Sequence, residues 1–191
     1  MSVPARNGAG VFAVRPMTPD DAAAFCRFVA DVPDGERRFL KERVDDPLEV
    51  CAELSGERKV RRFVVVDTLG DPDELVGVAG AFPGEGWSSH VAEVRVLVSA
   101  RHRGRGLGRR LARAALVEAL ELGCTHAYVE VVAEQEALVA MFQDLGFEPE
   151  ALLADFVRDG TGELHDLLLL THRVDEQWGR SRLLGLDEVV A

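Results

Sequence analysis

The apolar positions of this chain fall in short runs whose period switches between strand-like alternation and helical spacing, and the switches mark its elements. Alternation around Phe12 and Val14 predicts a strand over residues 11–15, stopped by Pro16. Thr18, Pro19, Asp20 and Asp21 then form a helix start: a capping hydroxyl, a proline in the first turn, and acids at the positive end of the helix dipole. Phe25, Phe28 and Val29 give that helix one apolar face, and the Pro-Asp-Gly of residues 33–35 breaks it. A second, more irregular helix is expected over 37–44, with one further turn over 48–56.

The middle of the chain changes to period two. RFVVVD (62–67) and LVGVAGAF (75–82) predict two strands joined by a turn over 69–74, a hairpin. A glycine-containing loop with Trp87 follows, and then the apolar run VAEVRVLV (91–98) predicts a fourth strand. A long amphipathic helix is expected from about Gly104 to Leu122, capped by Gly123. Residues 127–132 predict a fifth strand, 135–145 a helix ended by Gly146, and 152–158 and 164–173 a final pair of strands. The order βααβββαβαββ has antiparallel neighbours first and one β–α–β crossover later, which makes a mixed α/β (α+β) sheet flanked by helices. With no internal repeat or linker, residues 11–174 read as a single domain, preceded by a frayed segment 1–10. A tail, 175–191, is expected to pack on the body or on a partner, which leaves room for a homodimer.

Charge narrows the function classes. The formal net charge of −11 repels polyanions, so nucleic acid is not an expected partner, and a cationic amine is mildly favoured. No apolar run reaches the roughly 18 residues of a membrane helix. The opening MSVPARNGAG lacks the apolar region of a secretory signal, so a cytoplasmic protein is expected. Cys26, Cys51 and Cys124 show neither metal-ligand pairing nor a disulfide framework, and no metal is expected. Against the acidic background, Arg101, Arg103, Arg105, Arg109, Arg110 and Arg113 crowd together, which suggests a local anion site.

That cluster lies where the fourth strand turns into the long helix. Helix N-termini leave N–H groups unsatisfied and carry partial positive charge, so they bind phosphate. Gly104, Gly106 and Gly108 allow the backbone to approach a ligand closely. The spacing excludes two common nucleotide motifs. No Lys-Ser or Lys-Thr pair follows a glycine, and the glycines run G-x-G-x-G where a dinucleotide fingerprint needs G-x-G-x-x-G.

Arg103-x-x-Gly106-x-Gly108 instead resembles the R/Q-x-x-G-x-G/A acyl-CoA-binding motif of the GNAT superfamily of N-acetyltransferases. The likeness extends to VRPMTPDD (14–21) and to EVVAEQEALVAMFQDLGF (130–147), and covers most of residues 11–173. It implies a splayed, mostly antiparallel sheet with acetyl-CoA in the gap between the fourth and fifth strands. By the same resemblance, the backbone of Val96, Leu97 and Val98 pairs with the pantetheine amides. Arg103, Gly104, Arg105, Gly106, Leu107, Gly108 and Arg109 hold the pyrophosphate.

Ala92 followed by Glu93 is similar to the Ala-Glu that supplies a general base in the histone-acetyltransferase branch of that superfamily. Two readings of Glu93 stay open: burial beside apolar strands would make it a base, whereas Arg95 on the same face would neutralise it. The sequence also departs from the family pattern. Phe142 stands where the resemblance expects an acidic tyrosine, and Gln135 replaces an asparagine. Tyr128 reads as a core aromatic, His165 and Asp166 as a weaker alternative pair, and His102 as an exposed neighbour of the turn. Residues 31–55, the 82–90 loop and the last hairpin would contact the acceptor. Asp31, Asp34, Glu36, Asp45, Asp46 and Glu49 make the first of these acidic, as a solvated surface also would be.

The expected function is therefore transfer of an acetyl group from acetyl-CoA to the primary amine of a small molecule or protein, by direct attack. No cysteine sits where a covalent nucleophile belongs. The rival expectations are a catalytically silent acyl-CoA-binding regulatory module and a generic nucleotide-phosphate binder.

Overall fold

The computed structural model describes residues 5–6, 11–33, 61–68 and 74–174. The expected second helix and its extra turn, most of the 69–74 turn, and the 175–191 tail lie outside the described residues. The elements are β1 (Ala5–Arg6), β2 (Val11–Pro16), α1 (Ala22–Ala30), β3 (Arg61–Asp67), β4 (Leu75–Pro83), β5 (Val91–Val98), α2 (Leu107–Glu121), β6 (His126–Val132), α3 (Glu136–Asp144), β7 (Glu148–Arg158) and β8 (Leu164–Arg173). They form one eight-stranded sheet in the order β1-β2-β3-β4-β5-β6-β8-β7. Every pairing is antiparallel except β5–β6, which the α2 crossover makes parallel.

The two sheet faces bury different cores. On one, α2 and α3 cover Val76, Ala79, Val94, Ala127, Val129 and Leu170, with Leu111 and Leu116 fully buried between. On the other, α1 sets Phe25, Phe28 and Val29 against Val64, Leu75 and Val78. Strand β5 contributes to both, because alternate side chains point to opposite faces: Val94, Val96 and Val98 to the first, Leu97 to the second. A strand fixed on both faces can leave one backbone edge open without losing its position.

Some boundaries differ from expectation for physical reasons. Within the segment expected to fray, Ala5–Arg6 pairs with Phe12 and Val11. The first helix opens as a 3-10 turn at Pro19–Asp21. The long helix begins at Leu107, because residues 103–106 are spent on the glycine turn. β7 starts at Glu148 rather than 152 and runs past Pro149. It is an edge strand bonded only to β8, with register shifts at Pro149/Ala151 and Leu153/Val157, so it lacks clean alternation.

Candidate active site

The parallel β5–β6 ladder is short: Val91 faces His126, Ala92 faces Ala127, Glu93 faces Tyr128, and there it stops. β5 continues to Val98 against β4 alone, and β6 to Val132 against β8 alone. Two strand edges thus diverge from a common vertex. The gap opens into a cleft of about 970 Å³, walled by β5, the glycine turn and the start of α3. That is at the upper end for ligand sites and suits a long ligand. A diverging strand edge offers N–H and C=O groups to a peptide-like chain.

Val96, Leu97, Val98, Arg103, Gly104, Gly106, Leu107, Gly108 and Arg109 all border this cleft. Arg105, placed with them by the motif, does not: its guanidinium lies over the Phe12 ring, 5.7 Å from the centroid. Arg103 is partly a strut, its Nε donating to the Val98 carbonyl at 3.2 Å, so that carbonyl is engaged by the turn itself. Arg109 borders the cleft and pairs with Asp144 at the end of α3. Arg110 donates to the Phe12 carbonyl at 3.2 Å and ties α2 to β2.

The three glycines have two different reasons to be there. Gly104 and Gly106 adopt φ of 73° and 74°, and a Cβ on either would meet nothing within 4 Å, so conformation and open space set them. Gly108 has ordinary backbone, but a Cβ there would come within 3.1 Å of the Met141 sulfur. Its role is to let α2 lie close to α3. The open space beside Gly104 and Gly106, the unsatisfied N–H groups of the α2 N-terminus and the flanking arginines fit a pyrophosphate.

At the vertex sits Glu93, only 8% exposed yet on the cleft wall. The ion pair that the sequence allowed is present: Arg95 grips both carboxylate oxygens, Nε to Oε1 at 3.0 Å and Nη2 to Oε2 at 2.8 Å. Tyr128 stands on the facing rung, beside the same carboxylate. Burial and the nearby charge of Glu93 push its phenol above the ordinary range, so it stays a neutral donor. The Arg95 guanidinium lies 4.4 Å from the centroid of Phe82, and that of Arg62 lies 4.9 Å from the same centroid. Sequence reasoning missed Tyr128, Phe82 and Arg62 as neighbours of Glu93. The only signal would have been strand register, since Arg62, Gly80 and Arg95 are opposite one another on β3, β4 and β5.

The other candidates have different surroundings. Phe142 lines the cleft, is 2% exposed and packs edge-to-face on Phe147, and its phenyl ring has no proton to give. His102 is not the exposed residue expected: it borders the cleft, stacks edge-on against Phe12, and has a buried Nδ1 without a hydrogen-bond partner. His165 sits off the cleft between Glu134 and Asp159, at 3.3 Å and 3.5 Å. Burial pulls its imidazole down, but the two carboxylates outweigh that and raise it. Asp166 accepts from the Asp155 N–H and pins the β7 bulge. Cys124 is buried, its thiol donating to the Ser89 carbonyl at 3.8 Å. No helix among the described residues is long and apolar enough to cross a membrane.

A family model described as the acetyltransferase (GNAT) family matches residues 28–147. An uncharacterized N-acetyltransferase, YjgM, of Escherichia coli is 34% identical over 76 residues; the match spans 39% of this chain and 46% of that protein, less than half its length. Solved structures of similar fold include a ribosomal-protein-alanine N-acetyltransferase from Brucella melitensis (TM-score 0.72, 22% identity, 84% of this chain and 98% of that one). A putative acetyltransferase from Salmonella typhimurium with its cofactor acetyl-CoA gives TM-score 0.70 at 18% identity, covering 86% and 95%. A spermidine N-acetyltransferase variant from Vibrio cholerae gives 0.71 at 19%, covering 89% and 98%.

Proposed function

Because the chain belongs to the GNAT acetyltransferase family, whose model covers more than half of it, we propose that it transfers an acetyl group from acetyl-CoA to a primary amine by direct attack. The observation that carries this reading is the parallel ladder that parts at Glu93 and Tyr128 and opens toward the glycine turn at the head of α2. Two structural neighbours named for spermidine and for a ribosomal-protein alanine support an amine as acceptor. When bound, acetyl-CoA supplies a thioester whose carbonyl an amine attacks, forming a C–N bond as the C–S bond breaks.

The chain's own residues divide the work. The edge of β5 at Val96, Leu97 and Val98 orients the pantetheine arm. The α2 N-terminus, with Arg103 and Arg109, holds the pyrophosphate. Glu93, at the vertex, accepts the proton that the attacking nitrogen must lose. With a phenylalanine at position 142, the leaving thiolate is protonated by solvent.

The reading is tested by thiol release from acetyl-CoA in the presence of polyamines, amino sugars and peptide amines. Turnover with at least one class is expected. Glu93→Gln should lower it about a hundredfold or more while acetyl-CoA binding is kept; unchanged turnover would remove Glu93 from the reaction. The bidentate Arg95 and the absent acid favour a second reading, a CoA-binding regulatory module. That reading predicts acetyl-CoA binding with no thiol release for any amine.

A further inference from the structure

We propose that Arg95 and Tyr128 are positioning residues that hold Glu93 as an oriented carboxylate at the vertex of the cleft, Arg95 governing its charge state and Tyr128 its direction. The inference rests on the reading of Glu93 as proton acceptor, and it concerns one transfer. A proton leaves the acceptor nitrogen and arrives on a Glu93 oxygen, from which it returns to solvent.

Three features set this unit apart from a surface ion pair. The first is its place. Glu93 and Tyr128 form the last rung before the strands part, and Glu93 lies on the cleft wall there. The second is rigidity. The Arg95 fork engages both oxygens, and its plane rests on Phe82. That ring occupies the space over Gly80, where an added Cβ would fall 2.5 Å from its Cε2. Gly80 therefore admits the ring that supports the guanidinium that fixes the carboxylate. The third is energetic. A half-buried ion pair gives a fold little that apolar side chains of similar volume would not give, because desolvation offsets most of the attraction. The place of Glu93 on a cleft wall makes it a candidate functional carboxylate.

The charged and titratable groups facing Glu93 come from several strands. Arg95 lies on its own strand, Tyr128 and Glu130 on β6, and Arg62 on β3 across the Phe82 ring. Arg95 favours the ionised form by its charge, and the neutral phenol of Tyr128, on the facing rung, is placed to favour it as a donor. Loss of either should let Glu93 hold a proton to higher pH.

The experiment follows the Glu93 carboxyl carbon by ¹³C NMR across pH in the full chain, with Glu93→Gln assigning the resonance and calorimetric acetyl-CoA binding confirming that each variant is folded. In Arg95→Gln the titration midpoint should rise by about 1–3 pH units. In Tyr128→Phe it should rise by less, and Arg95→Lys should restore most of the wild-type value. The acidic limb of kcat/KM should move with the midpoint in each variant. A midpoint unmoved in both Arg95→Gln and Tyr128→Phe overturns the proposal, and so does a midpoint that moves while the limb stays. If Arg95→Gln does not fold, Tyr128→Phe and Arg95→Lys decide it by the same readout. Full turnover in Glu93→Gln would instead defeat the underlying reading, whatever the NMR shows.

Discussion

Gly106 is the residue on which conformation and ligand binding meet most sharply. Its φ of 74° lies in the left-handed region, and nothing occupies the space a side chain would enter. Alanine there should cost about 1–2 kcal/mol in backbone strain, or else shift the turn and move the N–H groups aimed at the cleft. Gly106→Ala is thus expected to weaken acetyl-CoA binding and to lower stability in urea by about that amount. A variant with wild-type affinity and stability would show that the left-handed turn is not required. At this scale, part of the site was legible in the sequence. The spacing Arg103-x-x-Gly106-x-Gly108 exposed the turn, and the i, i+2 relation of Glu93 and Arg95 offered their pairing as one of two readings. The placement of Tyr128 opposite Glu93 was not legible, because it depends on which residues of β5 and β6 face one another. The different duty of Gly108 was hidden for a similar reason, since it answers to Met141 on another helix.

The joint between β2 and α1 shows how an element start fixes orientation. Asp21 accepts two hydrogen bonds from Arg15 at 2.7 Å each, and two more from the Thr18 backbone and hydroxyl at 2.8 and 3.0 Å. The hydrogen-bonded Arg15 guanidinium holds the Asp21 carboxyl down at about 2, against burial, which pushes it up. An unfolded chain would titrate this group near 3.8, so its stabilisation is complete above about pH 4 and is lost as pH falls toward 2. Asp21→Asn should therefore lower stability by about 2 kcal/mol at pH 7, and the gap should close between pH 4 and 2. Denaturant melts across that range check it; a gap independent of pH would mean that packing rather than charge carries the effect. The sequence announced this helix start through Thr18, Pro19 and the two acids, and it announced β5 with its full bounds. It understated β7, because an exposed edge strand bearing Pro149 and two register shifts has no apolar face for a pattern to display.

At the scale of the whole molecule, the element list implied the single crossover but not the strand order. That β8 lies between β6 and β7, and that β6 leaves β5 after three rungs, are long-range pairings that local periodicity does not encode. The proposed function depends on that departure, since it turns two ordinary strands into the walls of a cleft. The whole chain bears a formal charge of −11, so in this reading an anionic cofactor would be held by local donors at one turn, against the overall field. A cofactor bound only by the folded chain stabilises it by mass action, about 2.7 kcal/mol at a hundredfold excess over Kd, and should raise Tm accordingly.

The measurement that bears most directly on this account is calorimetric titration of the intact chain with acetyl-CoA. The structure predicts saturable one-to-one binding at the splayed β5–β6 cleft, weakened by Gly106→Ala and retained in Glu93→Gln. Absence of saturable binding at physiological cofactor concentrations, or affinity for ATP exceeding that for CoA, would contradict it.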